Sequence, residues 1–90
     1  MIAVASQWTA TVRRATGATA HYQAGSDGVS VLPVPKALRI IQEAAGFFLL
    51  RLDENGVCIA DTWHSTLDEA KAQARFEYDV GSDDWTQQMQ

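Results

Sequence analysis

Cysteine, histidine and aspartate are the side chains of this 90-residue chain most able to do chemistry, and three of them stand close together as Cys58, Asp61 and His64. A thiol nucleophile needs a base within hydrogen-bond reach. Cys58 and His64 share one face of an extended segment, but they lie six residues apart, about 20 Å along a straight strand. That distance excludes a dyad, and Cys58 reads as a small core hydrophobe. Asp61-Thr62-Trp63-His64 is the most chemical-looking tetrapeptide. In a strand Asp61 and His64 point to opposite faces, so they would not chelate one metal ion. His64 precedes a helix N-terminus, where the positive end of the dipole disfavours imidazolium, and it reads as a neutral hydrogen-bonding residue. His21 could join it only if the N-terminal segment came near. Ser65 adjoins His64, and adjacent side chains diverge. No glycine-rich phosphate loop is present, no catalytic residue can be assigned, and no cofactor or metal is implied.

Composition narrows the partners. Seven Lys and Arg against eleven Asp and Glu leave a formal net charge of −4, and the basic residues are scattered. Nucleic-acid binding needs a basic stripe, so it is not expected. One cysteine permits no internal disulfide, which fits a reducing, cytoplasmic setting. The start, Met1 to Ala5, has no basic region, and no apolar run approaches the ~20 residues of a membrane span. Ninety residues are read as one domain, 1–90, with 1–6 and 86–90 frayed.

The elements that position these side chains follow from periodicity. Trp8, Ala10 and Val12 alternate with Thr9, Thr11 and Arg13, and alternation resumes over 18–24 beyond Gly17, which predicts a hairpin. Gly25 to Gly28 is a turn cluster. Val29–Val34 reads as a strand confined to an edge by Pro33 and Pro35. Residues 36–45 fit either a strand through Leu38-Arg39-Ile40-Ile41 or a helix between Pro35 and Gly46. Phe47–Leu52 is apolar on both faces except at Arg51, the pattern of a central strand covered on both sides. Asn55-Gly56 marks a tight turn tolerating positive φ, and Val57–His64 pairs back.

Thr66-Leu67-Asp68-Glu69 is a capping box that opens a helix. Leu67, Ala70, Ala74 and Tyr78 form its inward stripe. Phe76 lies on roughly the opposite side, where either Trp85 folds back over it or a partner meets it.

Gly46 to Leu50, Asp53 to Gly56, Asp61 to His64 and Glu69 to Glu77 together make a segment that resembles a family of small uncharacterised bacterial proteins. About half the chain is covered. The resemblance implies a strand before Gly46 and carries over no activity.

These readings converge on an α+β fold: an antiparallel meander of about five strands with one C-terminal helix on one face. One helix cannot cover both faces of such a sheet, so a homodimer is expected. The function expected is a non-enzymatic binding or regulatory module whose partner is a protein or a second copy of the chain. Trp63, His64, Asp61, Phe76 and Trp85 are its candidate binding residues. The alternatives are an immunity- or antitoxin-like inhibitor of a basic protein, and a small metal-dependent hydrolase around Asp61 and His64.

Overall fold

The computed structural model describes residues 6–25 and 28–88. In chain order it contains β1 (Gln7–Thr11), β2 (Tyr22–Gly25), β3 (Gly28–Val31), β4 (Ala37–Glu43), β5 (Gly46–Leu52), β6 (Cys58–His64), α1 (Leu67–Tyr78), a 3-10 turn at Ser82–Asp84, and β7 (Thr86–Gln88). Five antiparallel strands form the main sheet in the order β6-β5-β4-β1-β7, and β2 with β3 makes a separate ribbon. The expected α+β class and strand number are both found, with α1 on one face of the sheet.

The connectivity is a meander only from β4 to β6. The predicted N-terminal hairpin does not form: β1 pairs with β4 on one side and β7 on the other. Burial explains the preference. Trp8, Ala10 and Val12 enter the core beside Leu38, Ile40 and Leu49, whereas residues 18–20 are small and exposed. Thr86–Gln88, in the tail expected to fray, is held by its ladder to β1. Residues 1–5, 26–27 and 89–90, including the centre of the Gly25–Gly28 turn cluster, lie outside the described residues.

Residues 37–43 are strand, and the helical alternative fails because Leu38 and Ile40 alternate inward, both completely buried. β4 returns as β5 through Ala44-Ala45.

The β5–β6 turn lies where Asn55-Gly56 marked it but is looser than the tight turn expected. Asp53 N donates to Val57 O (2.9 Å), enclosing three residues, and only Gly56 has positive φ (80°). Asp53 Oδ1 accepts from Asn55 N (2.8 Å) and Val57 N (2.9 Å), a side-chain clamp on the loop. Just beyond it Leu52 pairs with Cys58 but Arg51 pairs with Ala60, so Ile59 is an extra, bulged residue. The bulge turns Cys58 outward. Cys58 is exposed, correcting its reading as a core residue.

Helix α1 has Thr66 as its N-cap, with Glu69 N donating to Thr66 Oγ1 at 3.1 Å. The Glu69 carboxylate reaches back to Ser65, accepting from its backbone N (3.1 Å) and its hydroxyl (2.6 Å). Those bonds hold the Glu69 carboxyl below its usual range. The inward stripe is Ala70, Ala74 and Tyr78, with Leu67 partly buried and an unforeseen member, Glu77. The helix stops at Asp79, which adopts the left-handed conformation (φ 56°) and donates its N–H to Arg75 O (2.9 Å).

Candidate functional site

The face of the sheet away from α1 is built by register. Gln7, Ile41, Phe48 and Trp63 stand side by side on β1, β4, β5 and β6, and the next row is Thr9, Arg39, Leu50 and Asp61. Among the described residues no second element packs on these two rows. Ile41, Phe48 and Leu50 are half-buried, and Trp63 is 51% exposed. Gly46 lies two residues before Phe48 and gives Trp63 its bed: a Cβ there would stand 2.6 Å from both Cζ2 and Nε1 of the indole. Arg39 and Asp61 flank Leu50 as opposite charges one strand out on either side. Arg39 Nε is buried without a hydrogen-bond partner among the described residues, which marks a donor that lacks an acceptor.

The opposite face carries a polar network under the helix. Arg51, the one charge in an otherwise apolar strand, is 1% exposed, and Glu77 of α1 is 2% exposed. Glu77 Oε1 accepts from Arg51 Nε (3.1 Å) and lies 2.6 Å from His21 Nε2. Its Oε2 accepts from Arg51 Nη2 (2.5 Å) and from Gln73 Nε2 (2.5 Å). Burial works to raise the Glu77 carboxyl, but donation from Arg51, Gln73 and His21 outweighs it and holds the group at about 2. Arg51 Nη1 donates to Leu49 O and to Thr62 Oγ1, each at 3.2 Å. Thr62 Oγ1 also lies 2.8 Å from His64 Nε2, which joins the imidazole to the network. Burial, and then the Arg51 charge, push His64 down, consistent with a neutral ring. Burial likewise pushes the Tyr78 phenol up to about 12.

His21 reaches this network because Thr16 ties the preceding loop to the helix end. Thr16 N donates to Glu77 O (2.8 Å), and its hydroxyl lies 2.5 Å from Phe76 O. A cavity of about 100 Å³ beside His21 and Arg51 is walled by Pro33, Ile59, Ala60 and Tyr78. A larger cleft of about 420 Å³ at the helix end is lined by Arg13, Arg14, Asp79 and Asp84, but Arg14 is already paired with Asp79. Both Glu77 oxygens are doubly bonded to donors, and a carboxylate held near 2 is a poor proton acceptor at neutral pH. The network's evident work is to lock helix, sheet and N-terminal loop together.

Of the residues singled out from sequence, Asp61 and Trp63 share the open face, and His64 lies on the helix side. Asp61 and His64 therefore cannot hold one metal, and the described residues contain no cluster of three or more His, Cys, Asp or Glu suited to it. Phe76 is 55% exposed on the outside of α1. Trp85 does not cap Phe76; it packs against the core cluster, with its Nε1 buried and unpartnered among the described residues. Sequence reasoning missed Arg39, Ile41, Phe48 and Leu50 as one surface, and the Arg51–Glu77–His21 network. The signals were a lone charge inside the apolar β5 and a glutamate at the helical spacing of Ala70, Ala74 and Tyr78.

No family model, curated protein or solved structure was found to match the chain.

Proposed function

We propose that this protein is a non-enzymatic binding module whose working surface is the open face of the sheet. The observation that carries this reading is the cross-strand row Ile41–Phe48–Trp63, with the tryptophan half exposed on a bed made by Gly46. A large aromatic beside half-buried aliphatic and aromatic neighbours is the composition of an interface centre. A second observation supports it: Arg39, beside that row, has a buried donor with no acceptor among the described residues. The polar residues that could have done chemistry are instead committed to one another beneath α1.

An inhibitor of a basic protein would present acidic charge on this face. The two rows carry Arg39 against Asp61, so charge on them is balanced.

The test is a photo-activated benzoylphenylalanine placed at position 63 in cells that express the chain, with the same group at exposed position 76 for comparison. A discrete protein adduct from position 63 and none from position 76 is expected. Absence of any adduct from position 63 would refute the open face as a docking surface.

A further inference from the structure

Resting on that reading of the open face, we infer that its occupant is a second copy of this chain, stacked sheet to sheet about a two-fold axis parallel to β5. The argument is self-complementarity. Arg39 on β4 and Asp61 on β6 lie in one cross-strand row, equidistant in strands from Leu50 on β5. A two-fold axis running along β5, midway between two sheets about 10 Å apart, exchanges the β4 side for the β6 side without moving residues along the strand. Arg39 then stands opposite the partner subunit's Asp61, and Asp61 opposite the partner subunit's Arg39. In the neighbouring row Ile41 meets the partner's Trp63, and Phe48 meets its own symmetry mate. An isologous interface requires a patch to be its own complement, and a patch holding one cation and one anion symmetrically about an apolar centre satisfies that requirement.

The single chain leaves both charges waiting. Neither Arg39 nor Asp61 forms an ion pair among the described residues. Arg39 Nε is shielded from water yet has no acceptor there. A carboxylate from above pairs with the outer nitrogens of the same guanidinium, because guanidinium and carboxylate match in geometry as well as charge. In the stacked pair the only carboxylate brought over Arg39 by this axis is the partner subunit's Asp61.

Size sets the strength. The β4–β6 patch spans roughly 14 Å by 23 Å from strand spacing and rise, about 640 Å² over both partners and below the roughly 1,200 Å² at which stable specific interfaces begin. The dimer should therefore dissociate in the micromolar range or weaker rather than be obligate.

The experiment is sedimentation equilibrium of the full chain over about 1 to 500 µM, with circular dichroism confirming that each variant folds. Wild type is expected to dimerise. Arg39→Asp and Asp61→Arg, which each place like charges together twice per dimer, should each weaken association by about 30-fold or more. The double variant Arg39→Asp/Asp61→Arg should recover it to within a few-fold, a rescue that a merely misfolded single variant could not give. A wild type that stays monomeric at the highest concentration overturns the inference and leaves the docking surface to be judged by its cross-linked partner. A dimer indifferent to the single reversals, or not rescued in the double, also overturns it. A dimer that persists in Phe48→Ser places the contact elsewhere and sinks the inference, while the open-face reading still stands or falls on the cross-link from position 63.

Discussion

Replacing Glu77 with leucine tests whether the polar network holds the fold together. The substitution leaves the Arg51 guanidinium, 1% exposed, without its bidentate partner and leaves Gln73 and His21 without their shared acceptor. Removing one member of a buried ion pair costs about 3–5 kcal/mol because the other charge stays buried and uncompensated. A domain of this length is stable by roughly 5–13 kcal/mol, so the loss is a large fraction of the whole. In urea, with a slope near 1 kcal/mol/M, the midpoint should fall by about 3 M or more. Replacing both partners, Arg51→Met with Glu77→Leu, removes the stranded charge and should recover at least about 2 kcal/mol of that loss.

The acid limb gives an independent reading of the same pair. The folded carboxyl titrates at about 2 and its ordinary value is 4.5, so between those values the unfolded chain binds the extra proton. Glu77 therefore stabilises the fold fully above about pH 4.5, and its contribution, on the order of 3 kcal/mol, is lost as pH falls toward 2. Urea midpoints measured from pH 6 to pH 2 should fall less steeply in Glu77→Leu than in wild type. A cost below about 1 kcal/mol at pH 7 together with an unchanged acid limb would refute the reasoning.

Gly46→Ala should cost about 1–3 kcal/mol and shift Trp63 off its bed, because the new Cβ meets the indole at 2.6 Å and the His64 carbonyl at 2.7 Å. Urea titration followed by tryptophan fluorescence reads both effects, and an unchanged midpoint and emission maximum would contradict the packing. Cys58, turned outward by the bulge, should react with Ellman's reagent in the native protein almost as fast as in the denatured chain. Protection by a hundredfold would mean that the thiol is covered.

Several elements were legible because their signals are local. Thr66 through Glu69 announces a helix N-terminus with a hydroxyl and a carboxylate that act within one turn, and both do so here. The run from Phe47 to Leu52 forms the strand expected and lies second from the sheet edge, but only its helix side is covered, with Phe48 and Leu50 half-buried on the other. Asp61 and His64 diverge because strand side chains alternate, whatever the sheet around them. Asn55-Gly56 marked the turn, but which residue took positive φ depended on the Asp53 clamp over the loop.

The remaining features depend on contacts between residues distant in sequence. Trp8 is buried beside β4 and the Phe47 ring rather than in a neighbouring hairpin, since strand partners compete for apolar area and period two does not say which strand wins. One bulged residue, Ile59, reversed the environment of Cys58, because shifting an alternating strand by a single residue exchanges its faces. Arg51, Glu77 and His21 are separated by 26 and 56 residues from partner to partner, and only the docking of helix and loop brings their charges within hydrogen-bond reach. The amino-acid order alone determined the α+β class, the helix and the central strand, through local capping and periodic burial. Tertiary structure decided which strands pair, which face stays open and which polar groups meet, because those outcomes depend on apolar area and charge contributed from far along the chain.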